Sequence, residues 1–365
     1  MVNLFASRTP NAYMKILYWI DDAHDKRKLP TGAVKRQLEK GLGVALYPDK
    51  PISSREEFVE LLSKMNPKST RGVIMDYQLT NLGERKQMAF GSTLAAGIRA
   101  KFPSIPVIGI SHCAEEKIPK LQLENFLAFF PRNKLTDANP EIDNLKALLD
   151  GHRNAYRSFE NQGGQSGVEL MVKLLSPPAA VVDLLRSAIP SAFREVWDRE
   201  TPHVVGRWIW HELQGHPGFL FDELGLATHL GLNLTGFKRI RPKFDAARYQ
   251  GVFASDERPR WWVATIREIF EKIISHQVVG PVSGARDELL KATKVKKGEW
   301  NGLYARAHGH KSFDEIPDCV AYRDDQREEN DRVQALFKET RVDDRDANLP
   351  FGFEARRIFD PSQHK

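Results

Sequence analysis

Residues 72–83 read GVIMDYQLTNLG, and this stretch decides how the first part of the chain is interpreted. Four residues that suit a buried strand, Gly72 to Met75, run directly into Asp76, and polar and turn-forming residues follow. An aspartate at such a place often only caps a turn. It carries chemistry if other functional side chains lie at the ends of the neighbouring strands.

Strand-like and helix-like segments alternate on both sides of this stretch. The other strand-like segments are KILYWI (15–20), VALYP (44–48), IPVIGIS (105–111) and ENFLAFF (124–130). Helical spacing covers 31–43, 53–66, 92–102 and 139–159. In the second of these helices, Ser54 followed by Glu57 makes a capping box. Near-continuous apolar strands that alternate with helices predict an α/β fold with a doubly wound, five-stranded parallel sheet.

Polar side chains follow several of the predicted strands. In an open parallel sheet, ligands bind beyond the carboxyl ends of the strands. The side chains expected there are Asp21, Asp22, Asp76, Ser111, Arg132 and Lys134. Carboxylates that meet at one edge repel each other unless a cation lies among them, and hard oxygen ligands suit Mg²⁺. A hydroxyl and a basic group nearby would hold the oxygens of a phosphoryl group, with Asp76 as the nucleophile that forms an acyl phosphate.

Residues 14–150, approximately, resemble the response-regulator receiver domain of two-component signalling. The segments ILYWIDD, VIMD and PVIGIS match that family in type and order. The resemblance implies that Asp21, Asp22 and Asp76 bind Mg²⁺, that Asp76 is the phosphoacceptor and that Ser111 is the switch hydroxyl. It implies a histidine kinase or another phosphodonor as partner.

The basic group of the family departs from its usual form in this chain. An aromatic residue normally stands three places before the family's lysine, and Phe129 stands three places before Arg132. Arg132 is therefore the better equivalent, with Lys134 as the alternative. Asn133 replaces the proline that usually follows the lysine, and Thr80 replaces the proline four places beyond the acceptor. These departures allow a second interpretation, a pseudo-receiver that docks protein partners in a larger assembly without phosphotransfer.

The pattern changes after the polar, glycine-rich stretch NQGGQSG (161–167), which is interpreted as a linker. Most of the following segments have helical spacing. Within 221–244, Ala227 and Gly231 suit the contact and the turn of a helix-turn-helix. The apolar positions that would fix the second helix against the first are Leu226, Leu232, Phe237 and Ile240. Two strands, 249–254 and 260–264, are expected to form a hairpin. Helices followed by a basic-tipped hairpin look like a winged helix.

The second predicted helix and the hairpin tip carry residue types that contact phosphates or base edges. These candidate DNA-binding residues are Asn233, Thr235, Lys238, Arg239, Arg241, Lys243, Arg258 and Arg260. Pro242 would end the recognition helix early. Winged helices also dock proteins, so double-stranded DNA and protein partners both remain open.

The composition bears on the possible partners and on the location of the protein in the cell. The 365 residues include 54 basic and 48 acidic ones, which gives a formal charge of +6 and permits an anionic partner without requiring one. Two cysteines are too few for a disulfide framework, and no apolar run is long enough to cross a bilayer, so a cytoplasmic protein without membrane contact is expected.

The expected domains are an N-terminal arm (1–13), a receiver-like domain (14–160), the linker, a mostly helical, winged-helix-like domain (168–300) and a charged extension (301–365). The leading hypothesis is a signalling regulator, not an enzyme, in which phosphorylation of Asp76 with Mg²⁺ controls a DNA-binding output. The interpretation allows a homodimer.

Overall fold

The computed structural model describes residues 15–21, 30, 32–48, 51–52, 54–79, 89–112, 117–138, 140–161, 166–190, 193, 201–215, 218–230, 232–274 and 289–302. Contacts divide the chain into two compact units. The first unit is Met1–Leu174 with Pro190–Trp210 and Val252–Glu257, and the second is Leu175–Ile189 with His211–Gly251 and Arg258–Lys365. The first unit therefore includes two segments from the region after the predicted linker.

The strands and helices follow each other in the alternating order that the sequence predicts for the first 160 residues. The strands are β1 (Lys15–Ile20), β2 (Val44–Tyr47), β3 (Thr70–Asp76), β4 (Gln78–Leu79), β5 (Ala89–Phe90), β6 (Val107–Ser111), β7 (Ala128–Pro131), β8 (Leu220–Phe221) and β9 (Trp261–Trp262). The α-helices are α1 (Gly32–Leu42), α2 (Arg55–Lys64), α3 (Gly91–Lys101), α4 (Lys120–Leu123), α5 (Asn133–Thr136), α6 (Ile142–Glu160), α7 (Gly167–Leu175), α8 (Ala179–Ala188), α9 (Thr201–Arg207), α10 (Glu223–His229), α11 (Leu234–Ile240) and α12 (Val263–Ile274).

Five strands of the first unit form one parallel sheet in the order β2-β1-β3-β6-β7. The predicted five-stranded parallel sheet is confirmed. β3 and β6 are buried almost throughout, as is typical of strands in a parallel sheet that is covered on both faces. Ser54 caps α2 as predicted, since its hydroxyl accepts a hydrogen bond from the Glu57 N–H at 3.2 Å.

A short antiparallel hairpin follows β3 directly and was not predicted. Its strands, β4 and β5, pair Gln78 with Phe90 and Leu79 with Ala89. The hairpin returns the chain to the sheet, and α3 begins at Gly91 beside the end of β3. Two residues per strand are too few to produce a readable alternation of apolar and polar side chains.

The second unit packs α10, α11 and α12 around one apolar cluster. Leu226, Ala227, Leu232, Phe237 and Ile240 are all buried in it, as the helix-turn-helix pattern predicts. Gly231, the predicted turn residue, lies outside the described residues. A 3₁₀ helix, Arg241–Ala247, continues directly from α11.

The predicted hairpin of 249–254 with 260–264 is reduced to one antiparallel bridge between Arg248 and Trp261, beside which the Tyr249 N–H donates to the Arg260 carbonyl oxygen at 2.8 Å. Residues 249–254 form no strand, and β9 pairs antiparallel with β8. The reason lies in the backbone: Phe253 has a φ of 66°, in the left-handed region that interrupts an extended chain. Gly251 also approaches the Leu175 carbonyl so closely that a Cβ there would lie 2.5 Å from the oxygen. The winged-helix fold stays a prediction.

None of the helices in the described part of the chain combines the length and the apolar character that crossing a membrane requires.

Candidate functional site

The carboxyl ends of four neighbouring strands place four polar side chains at one edge of the sheet. Asp21 follows β1, Asp76 ends β3, Ser111 ends β6, and Arg132 follows β7. Their exposed fractions are 0% for Asp21, 8% for Asp76, 2% for Ser111 and 2% for Arg132. Burial of ionisable groups to this degree requires that they compensate each other.

Arg132 supplies that compensation by reaching both aspartates. Its Nη1 donates to Oδ2 of Asp21, and its Nη2 lies 2.7 Å from Oδ2 of Asp76. One guanidinium therefore bridges two carboxylates that come from different strands. The planar, permanently charged fork of arginine is suited to such a bridge, whereas a lysine presents a single point charge.

The backbone fixes Arg132 in this position. Ser111 pairs with Pro131 in the β6–β7 register, and the Arg132 N–H donates to the Ser111 carbonyl oxygen at 2.8 Å. The side chain thus starts at the end of β7 and extends past the ends of β6 and β3 toward β1. Ser111 is buried beside Arg132, at the edge where the sequence predicts the switch hydroxyl.

Lys134, the alternative basic group, has a different partner. Its Nζ lies 2.9 Å from Glu141 Oε1, and about half of its side chain is exposed. The hydrogen bond and the charge of Glu141 raise the pKa of Lys134. Of the two basic candidates, the structure brings only Arg132 to the aspartates.

Two residues that the sequence interpretation missed shape the surroundings of Asp76. A Cβ on Gly91 would lie 2.0 Å from the Asp76 carbonyl oxygen, so the close approach of α3 to the end of β3 requires glycine. The Gly91 N–H also donates to the Tyr77 carbonyl oxygen at 2.8 Å. The Tyr77 hydroxyl in turn donates to Gln122 Oε1 on α4. The residue after Asp76 is therefore tied to a helix near the end of the sheet.

The arrangement of the described residues fits Mg²⁺ poorly. A divalent ion needs free carboxylate oxygens, and Asp21 and Asp76 already direct oxygens at a guanidinium whose positive charge would repel the ion. No three His, Cys, Asp or Glu side chains among the described residues lie close enough to share a metal. Asp22, the third predicted ligand, lies outside the described residues.

The predicted DNA-binding residues lie on and around α11 in the second unit. Thr235, Lys238, Arg239, Arg241 and Lys243 are exposed there. Asn233 has a structural task, because its Oδ1 accepts from the Gly236 N–H at 2.8 Å and caps the helix. A nucleic-acid contact from this surface would therefore come from the basic side chains rather than from Asn233.

Acidic residues of the same unit pair with two of these cations. Arg239 forms an ion pair with Glu299, and the hydrogen bond from Arg239 lowers the pKa of Glu299. Arg241 lies 3.4 Å from Glu223. Both pairs are solvated, so each contributes little to stability and competes only weakly with an anionic ligand.

Arg260, predicted at the tip of a basic hairpin, is largely buried instead. Its Nε donates to the Gln214 carbonyl oxygen at 2.8 Å, and burial lowers its pKa to about 10, which leaves it charged at neutral pH. Arg258 is partly buried. Arg260 lies beside the Arg248–Trp261 bridge and its side chain is directed at Gln214, so Arg260 does not form a basic tip.

No protein-family model and no curated protein matches the chain. Among solved structures, the chain is similar to the RcsB response regulator of Salmonella typhimurium. That structure is described in terms of the conformational dynamism of RcsB for DNA interaction. The identity is 15%, the match covers 48% of this chain and 89% of that one, and the TM-score is 0.25. A low-resolution structure of the response regulator StyR is 12% identical, with 53% of this chain and 98% of that one covered and a TM-score of 0.21. Both scores are low, so the fold assignment depends on the sheet topology.

Proposed function

We propose that the chain is a response-regulator-like signalling protein whose sheet domain docks protein partners without phosphotransfer. One observation carries the proposal: Arg132 bridges Asp21 and Asp76, the two described carboxylates at the edge where a receiver domain would take a phosphoryl group. Arg132 then acts as an internal cation that holds Asp21 and Asp76, at the ends of β1 and β3, in one arrangement. The face that partners recognise then persists without a chemical signal.

A charge count supports docking over phosphotransfer. At formal charge, the two described aspartates and Arg132 together carry one excess negative charge. A phosphoryl group on Asp76 would add further negative charge, and the guanidinium would have to leave Asp76 or serve three anionic groups at once. Asp21 has no exposure to water, so it would lose part of the counter-charge that Arg132 supplies in a place where solvent cannot replace it.

Intact mass spectrometry tests this proposal. After incubation with a small acyl-phosphate donor and Mg²⁺, we expect the mass of the wild-type protein to stay unchanged. We expect Arg132→Lys to gain one phosphoryl group, which Asp76→Asn removes again, because a compact ammonium leaves room at the carboxylates. Arg36→Lys, the same exchange at an exposed position of α1, is the matched control and should gain nothing.

The competing function, phosphorylation of Asp76 by a histidine kinase or another phosphodonor, makes the opposite prediction. One phosphoryl group on the wild-type protein that is lost in Asp76→Ala would establish it. Absence of any gain in Arg132→Lys would mean that the arginine is not what blocks phosphotransfer.

The second unit suggests a second function, contact with double-stranded DNA through α11. The observation that favours it is the set of exposed basic side chains along this helix and the 3₁₀ helix after it. Lys238 and Lys243 are the most suitable phosphate contacts, because Arg239 and Arg241 already have acidic neighbours. Protein docking through the same surface is the alternative.

A salt series separates these alternatives. We expect a labelled mixed-sequence duplex to bind the wild-type chain more weakly as salt rises. Lys238→Gln/Lys243→Gln should make the slope of log K against log salt shallower by about 2, since each phosphate contact contributes about 0.9. Lys272→Gln/Lys291→Gln, an equal charge change on other parts of the same unit, should leave the slope unchanged. An affinity for the duplex that does not change with salt concentration, or equal slopes for the two double variants, would exclude this surface as the DNA contact.

A further inference from the structure

The amino-terminal end of β3 carries a group of arginines that the proposed function does not use. Arg71 lies at the start of β3, and α6 crosses the strand there, with Leu149 packed against Gly72. Asp76 ends the same strand, five residues later, so the two ends of β3 are about 16 Å apart. This region is therefore separate from the edge that holds Arg132.

Contacts hold two guanidinium groups near the start of β3, and a third lies on the same face of α6 as Asp150. Arg71 forms an ion pair with Asp150, and Arg153 Nη2 donates to the Thr70 carbonyl oxygen at 2.8 Å. Asp150, Arg153 and Arg157 stand three and four residues apart on α6, so they share one face of that helix. We call Arg71, Arg153 and Arg157 the arginine cluster.

The arginine cluster contains more positive charge than its partner balances. Three guanidiniums against Asp150 leave a net charge of +2. Burial lowers the pKa of Arg153, and the charges of Arg71 and Arg157 lower it further, which means that the three groups repel one another. Arg71 Nε is buried and finds no hydrogen-bond acceptor within the described part of the chain. The cluster thus has both charge and donors in excess.

We propose that the arginine cluster is a binding site for a phosphate-type oxyanion, either free or carried by a nucleotide. Guanidinium groups present paired donors that match the oxygens of a phosphate, and such charge-assisted hydrogen bonds are stronger than neutral ones. Arg157 is exposed and supplies the open side of the site, while Arg71 and Arg153 are held in place by Asp150 and the Thr70 carbonyl. A bound dianion would balance the net charge and relieve the repulsion.

Isothermal titration of the full chain, at constant ionic strength, tests the proposal with two probes: inorganic phosphate and ATP without metal. We expect saturable binding of at least one probe by the wild-type protein. Arg157→Gln should weaken it about tenfold, because one charged hydrogen-bonding group is lost. Arg36→Gln, an equal charge change at an exposed position of the same unit, should leave affinity unchanged.

Tighter binding of ATP than of phosphate would assign the nucleotide as the source, and equal affinity would assign the free ion. Arg157→Lys keeps the charge but loses the paired donors, so its affinity should fall between those of wild type and Arg157→Gln. The proposal is overturned if the wild-type protein binds neither probe, or if Arg157→Gln, with an unchanged circular dichroism spectrum, binds as well as wild type.

Discussion

Arg132→Met should lower the free energy of unfolding of the first unit by about 3–5 kcal/mol, the usual cost of removing one partner from a buried ion pair. The cost arises because Asp21, with no exposure to water, and Asp76 would remain buried beside each other without their shared cation. Methionine keeps most of the side-chain volume, so the loss reports on charge rather than on a cavity. Hydrogen exchange of the β1 and β3 amides, combined with chemical denaturation, measures the effect where it arises.

A mutant cycle distinguishes this explanation from a general packing defect. In a protein that also carries Asp21→Asn and Asp76→Asn, Arg132→Met should cost several kcal/mol less, since no buried negative charge is then left unpaired. Lys134→Met, which removes a solvated cation two residues away, should cost at most about 1 kcal/mol. An equal cost of Arg132→Met in both backgrounds would show that the two aspartates do not depend on the arginine.

Acid should destabilise the first unit through two buried histidines, His152 on α6 and His203 on α9. Burial, and then the positive charges of Arg99 and Arg153, lower the pKa of His152 to about 3. Burial and Arg99 also hold the pKa of His203 well below its usual range, although the Glu124 carbonyl oxygen accepts from its Nε2 at 2.9 Å. Both rings are therefore neutral in the folded protein well below the pH at which they become charged in the unfolded chain.

The sign follows from proton counting. Above pH 6.5, both states hold these rings neutral, and the stability is complete. Between pH 6.5 and about 3, His152 is protonated in the unfolded chain but not in the folded protein. The free energy of unfolding therefore falls by about 1.4 kcal/mol for each pH unit of acidification. At pH 4.5, His152 alone should account for a loss of about 2.5 kcal/mol.

Urea denaturation at pH 7.5 and 4.5 measures the loss. His152→Leu should reduce the difference between the two pH values by about 2.5 kcal/mol, whatever the change in stability at pH 7.5. An unaltered pH dependence in His152→Leu would show that this ring does not resist protonation in the folded state.

The sequence was sufficient to predict the parallel sheet, because the strands of that sheet are apolar on both faces. The segment 15–20 matches β1 completely, and 72–76 lies within β3. The last predicted strand, 124–130, begins too early: apolar Phe126 and Leu127 belong to the turn after α4 and are buried without being in a strand. Burial alone determines apolar character, so composition could not separate that turn from the strand.

The candidate site was less completely predictable. The spacing from Phe129 selected Arg132 as the basic residue. The double ion pair depends on the reach of the side chain across β3 toward β1, which spacing does not encode. The predicted hairpin after the helix-turn-helix pattern formed only as one bridge for a related reason, since its Trp residues suit any buried strand and pair with β8. Which strands or side chains pair across a long sequence distance can be read only from the tertiary structure.

Arg132 serves Asp21 and Asp76 in the role that a bound cation would otherwise fill. The intact mass of the wild-type chain after treatment with an acyl-phosphate donor, with and without Mg²⁺, tests this role. We expect the unmodified mass in both samples. A Mg²⁺-dependent gain of one phosphoryl group that disappears in Asp76→Ala would show that Arg132 does not replace a cation there.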